Sequence, residues 1–220
     1  MVAKVFKNLH FKKRSDLHLA RKIWHMSGVF AMFLVWNLAA PATSMLLLSL
    51  GCIVFVVGDV LRSRIPALNE FVVFAFKPIM RESEVHRIAG TSYLLTGVMV
   101  CALVFPHEVV SVTLLFLGFA DPIASFVGIL YGKDKIFGQK SLQGTLAGYV
   151  VCVVAGASFL FAKDLPVDRI IVFSFVAGLV GALSELIPVA GLDDNFTMPV
   201  ISASGLSVLF YIFGLYPYFS

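Results

Sequence analysis

Long apolar stretches, separated by short polar segments, recur along the whole 220-residue chain. Seven of them have about the 17–23 residues that a helix needs to cross roughly 30 Å of hydrocarbon. A further apolar stretch, from Ala67 to Met80, is shorter and is predicted to form an interfacial or re-entrant helix. The predicted spans cover approximately residues 24–40, 42–61, 89–106, 109–131, 145–162, 169–187 and 198–216.

The composition supports a membrane protein. Hydrophobic residues make up 59% of the chain and charged residues 14%, and the mean hydropathy is +0.93. A soluble domain normally carries about 25% charged residues. We therefore predict an all-α fold, a polytopic integral membrane helical bundle of about seven transmembrane helices. It is predicted to form a single domain over residues 1–220, in which residues 1–20 are a basic N-terminal segment.

The positive charges predict the orientation of the bundle. Seven spans place the N-terminus and the segments 62–88, 132–144 and 188–197 on one side, which then holds 15 of the 17 lysines and arginines. Lysine- and arginine-rich segments stay in the cytoplasm, so this side is predicted to be cytoplasmic. Most of the polar motifs lie on the same side. The topology also explains the net charge of +4, and no nucleic-acid partner is expected.

The strongest candidate site begins at Asp121 in the fourth predicted span. A carboxylate at membrane depth is costly and usually faces a polar pocket that carries function. On a helix, Asp121 shares one face with the small residues Ala124, Ser125, Gly128 and Gly132. A stripe of small residues lets a ligand approach closely, but it is also typical of helix packing in membranes.

A segment rich in glycine and lysine follows this stripe, from residue 132 to residue 144. It lacks the GxxxxGK[ST] spacing of a Walker A loop. Backbone amides at glycines, lysine charges and a helix N-terminus nevertheless suit phosphate, and Ser141 is predicted to cap the next helix. An ordinary positively charged loop is the alternative. The candidate nucleotide-binding residues of this region are Gly128, Gly132, Lys133, Lys135, Lys140, Ser141 and Gly144.

Three further candidates lie near the same side. Asp193 and Asp194, preceded by Glu185, suit Mg²⁺, which binds a few carboxylates and keeps phosphate or water as its other ligands. A solvated turn that caps the last helix is the alternative. Arg87 can bind phosphate through two parallel hydrogen bonds, although a topogenic charge explains it equally well. His25 lies one turn inside the first span and is a candidate for chemistry.

Together these motifs resemble the polyprenol, dolichol and phytol kinase family, which includes the CTP-dependent diacylglycerol kinases. The resemblance runs from about Arg21 to Ser204. The family pattern D-x-x-A-x-x-x-G-x-x-x-G-x-x-K is matched by Asp121, Ala124, Gly128, Gly132 and Lys135. The segment K-[ST]-x-E-G-[ST] is similar to Lys140, Ser141, Gly144 and Thr145, the N-terminal R-K-x-x-H to Arg21, Lys22 and His25, and the late acidic motif to Glu185 and Asp193–Asn195.

One position departs from the pattern, because Gln143 stands where the family has glutamate. If that glutamate binds metal, Glu185 or the two late aspartates must compensate for its loss.

The resemblance implies transfer of a phosphoryl group from a nucleoside triphosphate, typically CTP, to the hydroxyl of a membrane lipid alcohol such as a polyprenol, phytol, a dolichol-like alcohol or diacylglycerol. We assign Mg²⁺ to Asp121 with Asp193 or Asp194, and Glu185 is a further candidate ligand. His25 or one of the aspartates is expected to orient or deprotonate the lipid hydroxyl. The triphosphate is assigned to Lys133, Lys135, Lys140 and Arg87.

Two other functions fit the same residues. A cytidylyltransferase that makes a CDP-lipid also needs CTP, Mg²⁺ and a membrane acceptor, but it releases pyrophosphate where a kinase releases CDP. A transporter would use Asp121 and Glu185 as intramembrane carboxylates. The one-sided placement of the polar motifs favours an enzyme that uses a cytosolic substrate.

Overall fold

The computed structural model of the protein describes residues 17–164, 167–187, 189 and 191–218. Residues 1–16, which form most of the predicted basic segment, lie outside this range. A π-helical turn, Phe116–Ala120, joins α5 to α6, and short 3₁₀ turns lie at Glu82–Glu84 and Tyr216–Tyr218. The helices are α1 Leu19–Leu38, α2 Pro41–Arg64, α3 Pro66–Phe76, α4 Gly90–Val104, α5 His107–Leu115, α6 Asp121–Tyr131, α7 Leu142–Phe161, α8 Val167–Leu186 and α9 Asp194–Ile212.

The prediction of an all-α membrane bundle is confirmed. Five helical segments of the described chain are long and apolar enough to cross a membrane: Pro41–Arg64, His107–Tyr131, Leu142–Phe161, Arg169–Leu186 and Asp194–Ile212. The other two predicted spans are also helical, as α1 and α4, but each falls short of the length or the hydropathy of a full membrane span. Polar residues lower the hydropathy of α1. Helix α4 has 15 residues, which extend about 22 Å.

Local signals mark four of the helix starts. Proline occupies the first position of α2 and of α3, where its missing amide hydrogen costs nothing and its φ is already helical. Ser141 caps α7 as predicted, because its Oγ accepts a hydrogen bond from the amide of Gly144 (3.3 Å). Asp193 caps α9 by accepting from the amide of Asn195 (3.0 Å).

A small β-hairpin interrupts the otherwise helical fold, and the sequence analysis did not predict it. Strand β1, Lys135–Phe137, pairs antiparallel with β2, Lys140–Ser141. Gly138 lies in the turn with a φ of +54°, which glycine adopts without steric cost. The hairpin places Lys140 near the end of α8 and the start of α9 and leaves the side chains of β1 exposed.

Helix α5 lies at the centre of the bundle and contacts α1, α4, α7 and α9. Its valines Val109, Val110 and Val112 and the following Phe116 are completely buried. The outer face of α2 is instead exposed, with Leu46, Leu47, Leu50 and Ile53 pointing away from the protein. Exposed aliphatic side chains on a long helix are expected where the solvent is lipid.

Helices α6 and α7 approach closely through glycine. A Cβ atom at Gly144 would lie 2.6 Å from the carbonyl oxygen of Ala124 and 3.1 Å from the Cα of Gly128. Real Cβ atoms do not approach backbone this closely, so the two helices would have to separate. Small residues that let backbones meet are the usual basis of helix packing in membranes.

We expect Gly144→Ala to destabilise the protein by about 1–3 kcal/mol, the typical cost of overpacking. Thermal unfolding in detergent measures the effect. Gly51→Ala in α2 is the matched control, because no atom lies within 4 Å of a Cβ added there. That control should be neutral or slightly stabilising, since alanine favours helix more than glycine does. Equal unfolding temperatures for the two variants would contradict this account of the α6–α7 contact.

Candidate active site

One end of the bundle gathers polar side chains from four separate segments. The ammonium of Lys22 in α1 donates to Ser125 Oγ in α6 (2.7 Å). Arg21 contacts the 3₁₀ turn after α3, and Lys140 of the hairpin contacts Glu185 of α8. The segments that the charge pattern predicted on one side of the membrane contact each other in pairs, because Arg21 joins the N-terminal segment to segment 62–88 and Lys140, 3.5 Å from Asp194, joins segment 132–144 to segment 188–197. The identity of that side, cytoplasmic or not, stays a prediction.

A buried arginine shapes the loop that leads into α4. Arg62 and Asp59, both almost fully buried, form an ion pair with a nitrogen–oxygen distance of 2.5 Å. Asp59 also accepts from the amide of Ala89 (2.8 Å) and the hydroxyl of Ser92 (2.5 Å). These contacts tie residues 84–92 to the end of α2. The other acceptors for the Arg62 guanidinium are Asn69 Oδ1 (3.0 Å) and the carbonyl oxygens of Glu84 (3.0 Å), Val85 (3.3 Å) and Arg87 (2.5 Å).

A second ion pair fixes the 3₁₀ turn to α1. Arg21 donates to both carboxylate oxygens of Glu84, each at 2.8 Å, and Glu84 also accepts from the amides of Arg81 (3.0 Å) and Gly90 (3.1 Å). Burial by itself raises the pKa of Glu84, but the hydrogen bonds and charge of Arg21, with the Arg81 amide and charge, outweigh it. The pKa of Glu84 therefore lies below its usual value. This bidentate pairing makes Arg21 a positioning residue.

Asp121 lies at the first position of α6, directly after the π-helical turn, and its Oδ2 is 3.9 Å from Nε2 of His25. The His25 Nε2 atom is also 2.8 Å from the carbonyl oxygen of Leu117. In the i→i+5 register of a π turn, that carbonyl would face the amide of residue 122, but Pro122 has no amide hydrogen. A carbonyl can only accept, so Nε2 of His25 carries the proton and Nδ1 of the neutral ring keeps a lone pair.

A small cavity of about 60 Å³ lies between α1 and α6. Its wall is positive, because Lys22 and Arg81 outnumber the single carboxylate of Asp121, while the charge of Arg21 is balanced by Glu84. The cavity has room for a small polar group rather than a whole nucleotide, since pockets for drug-sized ligands measure about 300–1,000 Å³. His25 also lines the cavity, so the predicted metal ligand Asp121 and a candidate base share it.

Lys140 lies within an acidic cluster next to this cavity. Its Nζ is 3.5 Å from Glu185 Oε1 and 3.5 Å from Asp194 Oδ2, and it also donates to the backbone carbonyl of Glu185. The structure therefore brings together Asp194, Glu185 and Lys140, which lie on three different elements, and Glu185 lies within electrostatic range of Asp121.

A larger cavity of about 500 Å³ opens beside the first. Residues 81–84, 87, 88 and 93 form one wall and residues 191–193 form the other. Arg81 lines both cavities, so they adjoin. The predicted site residues Arg87 and Asp193 belong to this larger cavity. Asp193 Oδ1 also accepts from the side chain of Asn195 (2.8 Å).

The predicted glycine stripe faces α7 and the hairpin. A Cβ at Gly128 would lie 3.2 Å from Ser141 Oγ, and one at Gly132 would lie 2.8 Å from Ser141 Cβ. With the Gly144 contact described above, these distances assign Gly128, Gly132, Ser141 and Gly144 a packing role. Nucleotide binding by these four residues stays a prediction.

Two of the predicted lysines lie apart from the acidic cluster. Lys133 and Lys135 are exposed, and the ammonium of Lys135 donates to the carbonyl of Gln139 within the hairpin (3.1 Å). Gln143 accepts from the amides of Lys133 (3.1 Å) and Asp134 (3.3 Å), and its amide group donates to the Asp134 carboxylate (2.7 Å). The glutamine thus holds the start of the hairpin, and a glutamate in its place would repel Asp134.

In the described part of the chain, no group of three or more histidine, cysteine, aspartate or glutamate side chains is arranged to hold a metal ion. Mg²⁺ does not require such a group, because it is usually bound by one or two carboxylates together with substrate phosphates. Asp121 and Asp194 fit this description, with side chains 32% and 31% exposed. The remaining predicted ligands are less available, since the Glu185 side chain is only 13% exposed and Asp193 caps α9.

The structural roles of Asp59, Arg62 and Glu84 were not predicted. In the sequence, Arg62 is only one of the positive charges that indicate the topology. One available signal was the i, i+3 spacing of Asp59 and Arg62 on an apolar helix, which places an acid and a base on the same face. Nothing in the local sequence indicated that Arg21 and Glu84, 63 residues apart, would form a pair.

Similarity to known proteins decides the family. The chain is 35% identical over 196 residues to CTP-dependent diacylglycerol kinase 1 of Schizosaccharomyces pombe, which covers 84% of this chain and 90% of that protein. The protein of the same name from Eremothecium gossypii is 32% identical over 203 residues, or 83% of this chain and 64% of that protein. The chain belongs to the CTP-dependent lipid kinase family.

This kinase is also 26% identical over 206 residues to CTP-dependent diacylglycerol kinase 1 of Saccharomyces cerevisiae, over 84% of this chain and 71% of that protein. No protein-family model matches the kinase, and no solved structure matches it. The resemblance that the motifs indicated is therefore confirmed, and with it the prediction of a phosphotransferase that depends on CTP.

Proposed function

We propose that this kinase transfers the γ-phosphoryl group of CTP to the hydroxyl of diacylglycerol at the cytoplasmic face of a membrane. The observation that carries the proposal is the meeting of Asp121, His25, Lys22 and Lys140 at one polar end of an apolar bundle. Diacylglycerol is chosen over a polyprenol, phytol or dolichol because three relatives are named as diacylglycerol kinases. The cytoplasmic orientation rests on the distribution of lysine and arginine.

Phosphoryl transfer has a loose transition state in which negative charge spreads over the oxygens of the transferred group. Catalysis is therefore mostly positioning and charge neutralisation. The small cavity supports such a role for Lys22 and Arg81, because it is positively charged and adjoins Asp121 and His25. A single terminal phosphoryl group matches its size better than the whole triphosphate does.

His25 is assigned to the lipid hydroxyl. Its Nε2–H is used by the Leu117 carbonyl, which fixes the ring and leaves Nδ1 as an acceptor for the hydroxyl hydrogen. Helix α1 also carries the exposed side chains of Ile23 and Trp24, on the same turn as His25. A lipid tail that lies along this apolar surface would bring its hydroxyl towards His25.

Mg²⁺ is assigned to Asp121 with Asp194, where it would offset the charge on the nucleotide phosphates. Lys140 lies between Glu185 and Asp194 and holds these carboxylates together without the metal. Its ammonium is also in position to contact a phosphate beside Asp194.

Product analysis of the wild-type kinase in lipid vesicles tests the reaction. With CTP labelled on its γ-phosphate, we expect label in the lipid product and release of CDP. A panel of diacylglycerol, undecaprenol, dolichol and phytol, with ATP as the competing donor, identifies the acceptor and the nucleotide. A parallel assay with phosphatidic acid as acceptor tests the alternative, because labelled pyrophosphate and a CDP-lipid product there would indicate a cytidylyltransferase. Solute flux without nucleotide would indicate a transporter.

We expect Lys140→Ala to raise the KM for CTP by about tenfold or more, the loss expected for one charge-assisted hydrogen bond of about 1.5–3 kcal/mol. The measurement is the CTP dependence of lipid phosphorylation. Lys163→Ala is the matched control, because Lys163 follows α7 at the opposite end of the bundle and stands 5.7 Å over the Phe159 ring. An unchanged KM in Lys140→Ala would leave this lysine a role in topology only.

A further inference from the structure

The two adjoining cavities differ in charge, and a nucleoside triphosphate has two parts that differ in the same way. Glu84 in the larger cavity and Arg21 in the smaller one neutralise each other as an ion pair. In the remaining wall of the larger cavity, Arg81 and Arg87 are balanced by two carboxylates, whereas the cations Lys22 and Arg81 outnumber the one carboxylate of the smaller cavity. Phosphate is attracted more strongly to the wall with the excess of positive charge. The uncharged nucleoside therefore belongs in the larger cavity, with the terminal phosphate in the smaller one.

The size and surface of the larger cavity also fit a nucleoside. Its volume of about 500 Å³ lies within the range of small-molecule pockets. Tyr93 adds an aromatic ring to one wall, and Ile88 and Leu192 add apolar surface on opposite walls. Aromatic side chains stack readily on nucleobases because every base has a π-face. The phosphate chain can then pass Arg81, which lines both cavities.

One carboxylate in this wall is available to a ligand. Glu84 already accepts hydrogen bonds from Arg21, Arg81 and Gly90, and Asp193 accepts from Asn195. The exposed side chain of Glu82 accepts no hydrogen bond from the described residues. Cytosine presents an exocyclic amino group, a donor, where uracil presents a carbonyl oxygen, an acceptor. A carboxylate therefore attracts cytosine at this position and repels uracil.

We propose that the larger cavity binds the cytidine moiety of CTP and that Glu82 selects cytosine over uracil by accepting a hydrogen bond from its amino group. The proposal rests on the proposed function, because it takes CTP as the donor. The buried pair of Asp59 and Arg62 supports the site indirectly, since it holds the backbone at Glu84 and Arg87, two residues of one wall.

The test compares CTP with UTP in the full-length kinase, using kcat/KM for lipid phosphorylation. Glutamine can donate to the uracil oxygen as well as accept from cytosine, so Glu82→Gln should lower the CTP-to-UTP preference by about tenfold. Glu70→Gln, an acid-to-amide change on α3 outside both cavities, is the matched control and should keep the wild-type preference. An unchanged preference in Glu82→Gln would overturn the role of Glu82.

A second variant tests the cavity independently of Glu82. Leu192→Trp fills the larger cavity from its other wall and should raise the KM for CTP about tenfold or more, with little effect on the KM for diacylglycerol. An unchanged KM for CTP in that variant would overturn the assignment of the cavity.

The wild-type kinase supplies a test that needs no variant. Free cytidine should compete with CTP more strongly than free uridine does, and equal inhibition by the two nucleosides would count against the proposal. Failure of the proposed function is a different result, because the wild-type kinase would then transfer no phosphoryl group from CTP to any lipid alcohol.

Discussion

Asp121→Asn should abolish CTP-dependent lipid phosphorylation while the protein stays folded. The asparagine keeps the size of the side chain at the start of α6 but removes the negative charge that faces His25, Lys22 and Glu185. We expect kcat to fall by about 10²–10³-fold or more, a loss of about 3–4 kcal/mol in transition-state stabilisation. Initial rates with saturating CTP and diacylglycerol measure the effect, and gel filtration with thermal unfolding in detergent confirms the fold.

Asp164→Asn is the matched control for this substitution. Asp164 follows α7 at the opposite end and has a φ of +55°, a conformation that asparagine also tolerates. The control should keep wild-type turnover. If Asp121→Asn turned over at the wild-type rate as well, Asp121 would have no place in the mechanism, and the assignment of Mg²⁺ to it would fall.

Arg62→Met should destabilise the protein by about 3–5 kcal/mol, the typical cost of removing one partner of a buried ion pair. The methionine would leave the buried Asp59 carboxylate with only the Ala89 amide and the Ser92 hydroxyl as partners. It would also leave the Glu84 and Arg87 carbonyls without their donor. The expected observation is a large drop in unfolding temperature in detergent, or loss of folded protein from the membrane fraction.

Arg64→Met is the matched control, because Arg64 lies two residues later on α2 and is exposed. That variant should keep the unfolding temperature of the wild type. A second comparison is the Asp59→Asn variant combined with Arg62→Met, which removes the unpaired charge and should recover part of the lost stability. If Arg62→Met were as stable as Arg64→Met, the network around Arg62 would contribute nothing to the fold.

Much of the candidate site could be predicted because its signals are local. The spacing of Asp121 and the small residues after it placed them on one helix face, and that face exists. The distribution of lysines and arginines placed four segments on one side, and these segments contact each other in pairs. The cap at Ser141 was also predictable, since Ser141 and the Gly144 amide that donates to it are only three residues apart.

The function of each residue within the site was less predictable. The same stripe that lets a ligand approach also lets a helix approach, and only the packing of α7 shows which of the two lies against Gly128. Among the lysines of the hairpin, Lys140 faces Glu185 and Asp194 whereas Lys135 faces its own turn. Strand pairing decides that difference, because it determines from which face of the hairpin each side chain projects.

The sequence by itself determined the class of the protein, the helical bundle and the side on which its polar residues collect. Apolar length, proline positions and charge distribution act within a span or across a single loop, so they can be read along the chain. Only the tertiary structure decided that Arg21 pairs with Glu84, that Arg62 holds residues 84–87, and that two cavities of different charge adjoin at Arg81. The two residues in each of these hydrogen bonds are separated by between 22 and 63 positions in the sequence, and the packing of whole helices brings them together.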